Sequence, residues 1–247
     1  MKKQLDAALS RERPLTPYAT PIAADMTFWG RGYGVIVFRS PTLKKNLWWK
    51  ESLFETPFVY GEGLWELQQQ GWIITSAVID GKRGVAQIFE REGIPVQYCQ
   101  FHQVKTVTKY LTRKPKTEAG RELRALALAL TRSTEEEFKT ALASWQERWG
   151  EFLNEKSIAP HKKRGWEYTH KKLRAAHRSL KENLCRLFTY QKHPELGIPN
   201  TTNTLDGMFS QIKNRIAVHR GLNRGRRFKV ISEILKGAQN SDTRKFL

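Results

Sequence analysis

The sequence predicts an α/β fold in which a mixed β-sheet is followed by a block of helices and a basic tail. Segments rich in β-branched and aromatic residues alternate with amphipathic segments over residues 18–102, in the order β-β-β-α-β-α-β. Over residues 113–195 no segment has the pattern of a strand, and apolar residues recur at helical spacing. We therefore divide the chain into a short N-terminal segment (1–17), a first part of the sheet core (18–112), an all-α insertion (113–195) and a second part of the core with basic helices (196–247).

Five strands are predicted from segments rich in Val, Ile, Phe, Tyr and Trp, at residues 21–29, 33–38, 47–50, 72–79 and 94–99. The fourth segment is apolar at almost every position, which is typical of a central strand buried on both faces. Between the strands, an amphipathic helix begins near Tyr60 and ends at Gly71, and a short helix around Ile88 ends at Gly93. A meander followed by crossover helices gives a mixed sheet with helices on its faces.

Helices in the second half are predicted from apolar residues spaced three and four positions apart. The sequence Ser133-Thr134-Glu135-Glu136 has the pattern of a capping box at the start of one of them. The predicted apolar faces are Leu123, Leu126 and Leu130; Phe138, Leu142, Trp145, Trp149 and Phe152; Leu173, Ala176, Leu180, Leu184 and Leu187; Leu205, Phe209, Ile212 and Ile216; and Phe228, Ile231 and Leu235. The N-terminal segment predicts a short helix and a proline-marked turn.

Positive charge is concentrated in the second half of the chain. The chain has 43 Lys and Arg residues against 24 Asp and Glu, a net charge of +19, and residues 161–247 hold 20 of the basic residues and 6 of the acids. The densest runs are 161–164, 171–181 and 220–229. Such a surface favours DNA or RNA, because basic side chains release the counterions condensed on phosphates; a solvated basic surface is the alternative. We expect no membrane span, because no run reaches about 18 apolar residues, and two cysteines suit a reducing cytoplasm.

Three aspartates have positions that favour a metal-dependent site. Asp25 lies in the first predicted strand, Asp80 ends the buried fourth strand, and Asp206 lies near the start of a helix in the tail. Active sites of open α/β sheets collect at the carboxyl ends of strands, and converging carboxylates need cations because like charges raise each other's pKa. Two Mg²⁺ ions held by carboxylates can cleave a phosphodiester. The alternative is that each acid is a turn or helix-terminus residue.

Four runs occur in a fixed order along the chain: D-M-T-F-W-G at 25–30, I-T-S-A-V-I-D-G-K-R-G at 74–84, P-V-Q-Y-C-Q-F-H at 95–102 and I-P-N-T-T-N-T-L-D-G-M-F at 198–209. Together they resemble the catalytic region of Mutator-like DDE transposases of bacterial insertion sequences. The resemblance covers about residues 20 to 240. Its more specific markers are the Cys-x-x-His element and the T-T-N run ahead of the third acid.

The resemblance implies a ribonuclease-H-like fold with an α-helical insertion before the last catalytic helix. It implies that Asp25, Asp80 and Asp206 are the catalytic acids and hold two Mg²⁺ ions, for which Mn²⁺ can substitute. The implied reaction is cleavage at transposon ends followed by strand transfer into target DNA. The implied partners are double-stranded DNA, as transposon ends and as target, and a second copy of the chain in a homodimer or larger assembly. The implied location is the bacterial cytoplasm, in association with the nucleoid and without a membrane partner.

The sequence departs from the family pattern at two places. The third acid of the family is most often Glu, whereas Asp206 stands here, and Glu195 precedes the T-T-N run and does not match the motif. Only 24 residues precede Asp25, without a helix-turn-helix or zinc pattern, so we expect a truncated or split element that lacks the N-terminal DNA-binding module. Two alternatives stay open: an inactive remnant that only binds DNA, and a ribonuclease-H-like nuclease with another nucleic-acid substrate.

Further residues are expected to support the acids or bind DNA. Cys99 and His102 are expected beside the carboxylates or in contact with DNA; a zinc site and core packing of Cys99 are the alternatives. Ser210 and Lys213 share the helical face of Asp206, so Lys213 is a candidate phosphate contact. The expected contacts in the tail are Arg220, Arg224, Arg226 and Arg227.

The tryptophans divide into two groups. Trp145 and Trp149 follow helical spacing and are predicted to lie in the core. Trp29, Trp48 and Trp49 lie near the predicted site strands. One of these three could stack on an unpaired base at the cleaved end; packing on the sheet is the alternative.

Overall fold

The computed structural model describes residues 17–218 and 221–237. Its architecture is α/β, with a mixed five-stranded sheet as predicted. The helix predicted at the start of the chain lies outside the described residues. No helix in the described ranges is long and apolar enough to cross a membrane.

The sheet contains all five predicted strands. They are β1 (Ala19–Phe28), β2 (Gly34–Ser40), β3 (Lys45–Ser52), β4 (Ile73–Ile79) and β5 (Val96–Tyr98), arranged in the order β3-β2-β1-β4-β5. Strand β2 is antiparallel to β1 and β3, whereas β4 is parallel to β1 and β5. The apolar sequence of β4 is buried from Ser76 to Ile79, which confirms that it is a central strand.

The helices of the described residues follow the predicted alternation. They are α1 (Pro57–Gln69), α2 (Ala86–Glu90), α3 (Gln100–Leu111), α4 (Glu118–Ala129), α5 (Glu135–Asn154), α6 (Lys171–Leu187), α7 (Thr189–Lys192), α8 (Asn203–Ala217) and α9 (Arg224–Gly237), with single 3₁₀ turns at Leu130–Arg132 and Pro194–Leu196. Helices α1 and α2 connect the strands in the predicted order. Helices α8 and α9 are the predicted tail helices.

The prediction that residues 113–195 contain no strand is wrong. Two three-residue strands, β6 (Lys156–Ile158) and β7 (Trp166–Tyr168), form an antiparallel hairpin between α5 and α6. All residues of β6 are exposed and those of β7 are only partly buried. Strands this short have no buried face, and therefore leave no alternating apolar pattern in the sequence.

The capping box at α5 is present one residue later than predicted. Thr134 is the N-cap, its Oγ1 accepts the Glu137 N–H at 3.2 Å, and Glu137 Oε2 accepts the Thr134 N–H at 2.8 Å. The prediction had paired Ser133 with Glu136, which has the same spacing.

The two faces of the sheet bury different helices. Ile22 and Met26 of β1 face a large cluster with α1 to α6, whereas Ala23 of β1 and Val78 of β4 face a second cluster with α8 and α9. The second cluster contains all four apolar residues predicted for α8, and Ile231 and Leu235 of α9. Because side chains alternate along a strand, every second residue after Ala23 and Val78 faces α8.

Candidate metal centre

Strand register brings Asp25 and Asp80 together. Ala23 pairs with Val78 across the parallel β1–β4 ladder; Asp25 lies two residues further along β1, and Asp80 lies two residues after Val78, just beyond the end of β4. Since side chains two residues apart lie on the same face, both carboxylates project toward the face covered by α8. Asp206 lies in the first turn of α8. The structure therefore brings the three predicted acids to one place.

The oxygen and nitrogen atoms that could hold a cation form two groups that share Asp25. One group contains Asp25, Glu55 and Asp80, and the other contains Asp25, His102 and Asp206. Within each group, the candidate ligand atoms lie within 4.8 Å of one another. Three carboxylates in the first group suit a hard cation such as Mg²⁺, and the imidazole in the second adds a nitrogen donor.

Glu55 is a site residue that the sequence did not predict. It lies in the loop between β3 and α1, where its Oε1 accepts a hydrogen bond from Tyr60 Oη at 2.8 Å and its Oε2 lies 3.4 Å from Lys82 Nζ. Burial and the charge of Asp80 raise the pKa of the Glu55 carboxyl. An acid just before a helix carries no distinctive sequence signal, because such acids commonly stabilise helix N-termini.

Asp25 is the most buried of these acids, with 7% of its surface exposed. Its Oδ1 accepts the Met26 N–H at 2.8 Å. Burial raises the pKa of Asp25 to about 7; His102 opposes this rise, while Asp80 and Asp206 add to it. A cation between the carboxylates would favour the charged form of Asp25.

Asp80 sits on a turn that ends β4. Its Oδ1 accepts the Lys82 N–H at 2.8 Å, which closes the turn around Gly81. Gly81 has a φ of +86°, a backbone conformation that residues other than glycine rarely adopt. The Asp-Gly pair therefore fixes the direction of the carboxylate at the strand end.

Asp206 has one oxygen with cationic neighbours and one without a partner. Its Oδ1 lies 3.4 Å from Lys105 Nζ and 3.9 Å from His102 Nε2. Its Oδ2 is buried and has no hydrogen-bond partner among the described residues. A buried carboxylate oxygen without a partner is a fit for a cation at this position.

Cys99 and His102 connect α3 to the start of α8. The fully buried Cys99 Sγ accepts hydrogen bonds from the Thr202 N–H and Oγ1, both at 3.3 Å, and Thr202 Oγ1 lies 3.4 Å from His102 Nδ1. Thr202 is the N-cap residue of α8, four positions before Asp206. His102 lies beside the carboxylate of Asp206, whereas Cys99 is buried in the apolar cluster with α8, which supports the core-packing alternative for Cys99. Among the described residues, neither group of candidate metal ligands includes Cys99, so the zinc alternative has no support.

The electrostatics of Cys99 and His102 depend on each other. Burial alone would lower the pKa of His102, but the hydrogen bond and charge of Cys99, with Asp25 and Asp206, raise it to about 9. Burial alone would raise the pKa of Cys99, but hydrogen bonds with His102 and Thr202 lower it overall. Without a cation, an imidazolium at this position partly neutralises the two aspartates, and His102 would have to lose that proton to ligate a cation.

The predicted DNA-binding residues of the tail have different environments. Lys213, Arg224 and Arg226 are exposed, and Arg224 also pairs with Glu51 at 3.4 Å. Arg224 and Arg227 also lie over the Tyr33 ring, at 5.5 and 5.6 Å from its centroid. Arg220 lies outside the described residues. The predicted surface role therefore fits Lys213 and Arg226 better than the two arginines that contact the sheet.

Most of the tryptophan side chains singled out in the sequence are hydrogen-bonded within the structure. Trp145 is buried in the core, as predicted, and donates to the Ala119 carbonyl at 3.1 Å, whereas Trp149 is only partly buried against the core and donates to Glu122 at 2.7 Å. Trp48 is buried and donates to Glu66 at 2.7 Å, so base stacking by this residue is contradicted and packing on the sheet is confirmed. Trp49 donates to Ser232 at 3.2 Å, and Trp29 is partly buried against Tyr33.

No protein-family model matches this sequence, and a search of curated proteins likewise finds no match.

Proposed function

We propose that this protein is a DDE transposase of the Mutator-like type, which cleaves DNA at transposon ends and joins the ends to target DNA. The observation that carries the proposal is the convergence of Asp25, Asp80 and Asp206 in two ligand groups that share Asp25. The sheet order, with an antiparallel meander followed by two parallel strands, supports a ribonuclease-H-like core. The mostly helical segment between β5 and α8 supports the proposed insertion.

The donor set fits two divalent cations, Mg²⁺ or Mn²⁺. Asp25 would contribute to both, with Glu55 and Asp80 on one side and with Asp206 and His102 on the other. Bound cations supply Lewis-acid stabilisation of the charge that develops on the phosphodiester oxygens. The buried Asp206 Oδ2, which has no hydrogen-bond partner among the described residues, supports this assignment because a cation would satisfy it.

The proposed reaction has two steps at the same acids. In the first, a water oxygen attacks the phosphorus, the bond from phosphorus to the 3′ oxygen breaks, and that oxygen takes a proton. In the second, the freed 3′-hydroxyl attacks a target phosphodiester, losing its proton as the corresponding target bond breaks. Lys82 and Lys105 lie beside Glu55 and Asp206 and would offset the negative charge of the bound phosphates. Joining two ends requires two active sites, so the proposal includes a dimer on DNA.

The proposal is tested by cleavage of labelled duplexes made from the DNA that flanks the gene. Wild type should nick these duplexes with Mg²⁺ or Mn²⁺, and Asp80→Ala should lose at least about 100-fold in rate, because it removes a carboxylate from the group. Glu136→Gln, an exposed acid of α5, is the matched control and should retain the wild-type rate. Undiminished cleavage by Asp80→Ala contradicts the assignment. Preferred cleavage of an RNA–DNA hybrid over the duplex would instead indicate a nuclease.

A further inference from the structure

A dense group of positive charges lies on elements that contain none of the metal-centre residues. Residues 156–181 hold nine lysines and arginines and a single acid, Glu167. They form the β6–β7 hairpin and the first two-thirds of α6. We propose that this hairpin and one face of α6 bind the phosphate backbone of duplex DNA, as a clamp separate from the carboxylates. The proposal rests on the proposed function in taking DNA as the substrate.

The tip of the hairpin carries four consecutive basic residues, His161 to Arg164, all of them exposed. The turn is ordered by backbone hydrogen bonds from the Ala159 and Gly165 N–H groups to the Gly165 and Lys162 carbonyls, at 2.8 and 2.9 Å. None of the four residues forms an ion pair with an acid in the described part of the chain. Glu167 interacts with Lys162 and His161 at longer range, but this single acid already pairs with Lys171 and offsets only part of their mutual repulsion, which favours an anionic partner.

Cation–π contacts stiffen the hairpin. Lys156 Nζ lies 4.1 Å from the centroid of the Trp166 ring, and the Arg164 guanidinium lies 4.5 Å from it. Ser157 and Thr169 share a hydroxyl hydrogen bond of 2.7 Å next to the strands. An isolated two-stranded hairpin is marginally stable in water, so these contacts help to order one that buries little surface.

The base of the hairpin is fixed to α5 and α6. The Arg174 guanidinium lies 3.6 Å from the centroid of the Tyr168 ring and donates to the Leu153 carbonyl at 2.6 Å. The ring of His170 stacks on Phe152 with centroids 3.7 Å apart. The tip is thus exposed on a base that is held by the helices, as a preordered binding element requires.

One face of α6 continues the positive surface. Lys171, Arg174, Arg178 and Lys181 are spaced by three and four residues, so they share a face about 15 Å long. Lys171 also pairs with Glu167. Each strand of duplex DNA carries a phosphate about every 3.4 Å along the axis, so this face matches about four phosphates.

A groove of about 270 Å³ accompanies this face between α5 and α6. Its polar lining includes Gln146, Asn154, Arg174, Arg178 and Lys181, and no acid lines it. His177 also lines the groove; it is buried, and its Nε2 has no hydrogen-bond partner among the described residues. Burial and the charges of Lys181 and Arg174 lower the pKa of His177, which is consistent with a positive potential in the groove.

Hydrogen bonds connect the clamp to the metal centre. Gln103 Nε2 donates to Ser179 Oγ of α6 at 3.0 Å, and Asn183 Nδ2 donates to Gln103 Oε1 at 2.8 Å. Gln103 follows His102 in α3. The helix that carries the clamp is therefore fixed to the helix that carries a residue of the centre, so both can act on one DNA molecule.

A membrane surface fits this region less well. Membrane-bound segments insert several apolar side chains beside their basic residues. Ile158, 89% exposed, is the one large apolar side chain among residues 156–181 that is fully solvent-facing. Trp166 is in contact with Lys156 and Arg164, and is not available for insertion.

The test is the salt dependence of binding to a labelled 30-base-pair duplex, measured in EDTA so that no cleavage contributes. The variant is Lys162→Gln/Lys163→Gln/Arg164→Gln. Each phosphate contact adds about 0.9 to the slope of log affinity against log salt. We therefore expect the slope to fall by about 2 to 3 and the affinity at low salt to fall at least about tenfold.

The matched control is Arg91→Gln/Arg132→Gln/Lys139→Gln, which removes the same charge from exposed positions. Arg132 lies in the turn before α5 and Lys139 in its first turns, about 22 Å or more along the helix from the hairpin base. The control should keep nearly the wild-type slope. Equal losses in the two triple variants, or an unchanged slope in the hairpin variant, would overturn the clamp.

A second variant, Arg178→Gln/Lys181→Gln, tests the α6 face without changing the hairpin, and should reduce the slope by about 1 to 2. Vesicles containing phosphatidylserine provide the competing surface; preferred binding of the protein to vesicles over duplex overturns the proposal. The outcome is separable from that of the proposed function, because binding is measured without cations. If the hairpin variant loses DNA binding while the wild type shows no cleavage, the clamp proposal stands and the transposase proposal is rejected.

Discussion

Asp25 and Asp80 lie two residues beyond Ala23 and Val78, which pair across two parallel strands, so both carboxylates face α8 at neighbouring positions. The sheet register alone thus creates a pair of like charges, of which Asp25 is buried and Asp80 is half-buried. Asp206 and Glu55 add two more carboxylates around the pair. Without a cation such a cluster destabilises the fold, and this makes it testable through stability as well as through activity.

Substitution of Asp25 by Asn should stabilise the cation-free protein at high pH. The pKa of Asp25 is about 7 in the folded chain and 3.8 as its ordinary value, so the folded state holds the proton more tightly. The free energy of unfolding of the wild type therefore decreases as the pH rises from about 4 through 7, because the unfolded chain releases the Asp25 proton first. We expect Asp25→Asn to gain on the order of 2–4 kcal/mol relative to wild type between pH 5 and pH 8. Urea unfolding in EDTA at both pH values measures this, and an equal pH dependence of the two proteins would be evidence against it.

Divalent cations should stabilise the protein through both ligand groups. At about 100 times the dissociation constant, a bound cation adds about 2.7 kcal/mol to the free energy of unfolding. Glu55→Gln should reduce the rise in Tm with Mn²⁺, and Asp25→Ala should remove most of it because Asp25 belongs to both groups. Glu136→Gln is the control. A full Mn²⁺ response in Asp25→Ala would contradict the shared position of Asp25.

Loss of the Tyr60 hydroxyl should weaken the group that contains Glu55. Tyr60 is fully buried and its hydroxyl donates to Glu55, so Tyr60→Phe leaves the acid without this partner. We expect a loss of about 1 kcal/mol in stability and a several-fold higher Mn²⁺ concentration for half-maximal response. Tyr110→Phe, at an exposed position, is the control. Titration with Mn²⁺, followed by the change in Tm, distinguishes Tyr60→Phe from Tyr110→Phe. Identical titrations of the two variants would show that Tyr60 does not position Glu55.

Thr202 should control the position of Asp206. Thr202→Val removes the hydroxyl that donates to Cys99 Sγ and lies near His102, but keeps the backbone hydrogen bond. We expect a loss of about 1–2 kcal/mol in unfolding free energy and a lower cleavage rate at saturating DNA. The neighbouring substitution Thr201→Val provides the comparison, since no hydrogen bond of its hydroxyl occurs in the described structure. Chemical unfolding and cleavage are measured together; if Thr202→Val and Thr201→Val behave alike, the link between α3 and α8 is unimportant.

The sheet could be predicted because its strands carry their own pattern. The run at β4 is apolar throughout, and β2 is strongly β-branched, so both give strong signals. Asp80 could be predicted because it ends a buried strand at an Asp-Gly turn. The β6–β7 hairpin could not, since its strands bury no face and its order comes from contacts of Trp166 and Tyr168 with the side chains of Lys156 and Arg174.

Glu55 and Trp48 show why the sequence alone did not predict every residue of the site correctly. Glu55 joins the acids through the packing of a loop and the hydroxyl of Tyr60, and neither is visible in residue spacing. Trp48 lies near the site strands in sequence, but its side chain lies on the face opposite Asp25, in the cluster with α1. Which face a residue takes depends on register, and a one-residue change reverses it.

The substitution Asp80→Cys tests whether Asp80 holds a cation during phosphodiester cleavage. A thiolate is a poor ligand for Mg²⁺ and a better one for the softer Mn²⁺. Cleavage of the flanking-DNA duplex by this variant should be lost with Mg²⁺ and recover at least about tenfold with Mn²⁺, while wild type uses both. Cleavage by Asp80→Cys at the wild-type rate in Mg²⁺ would contradict the account.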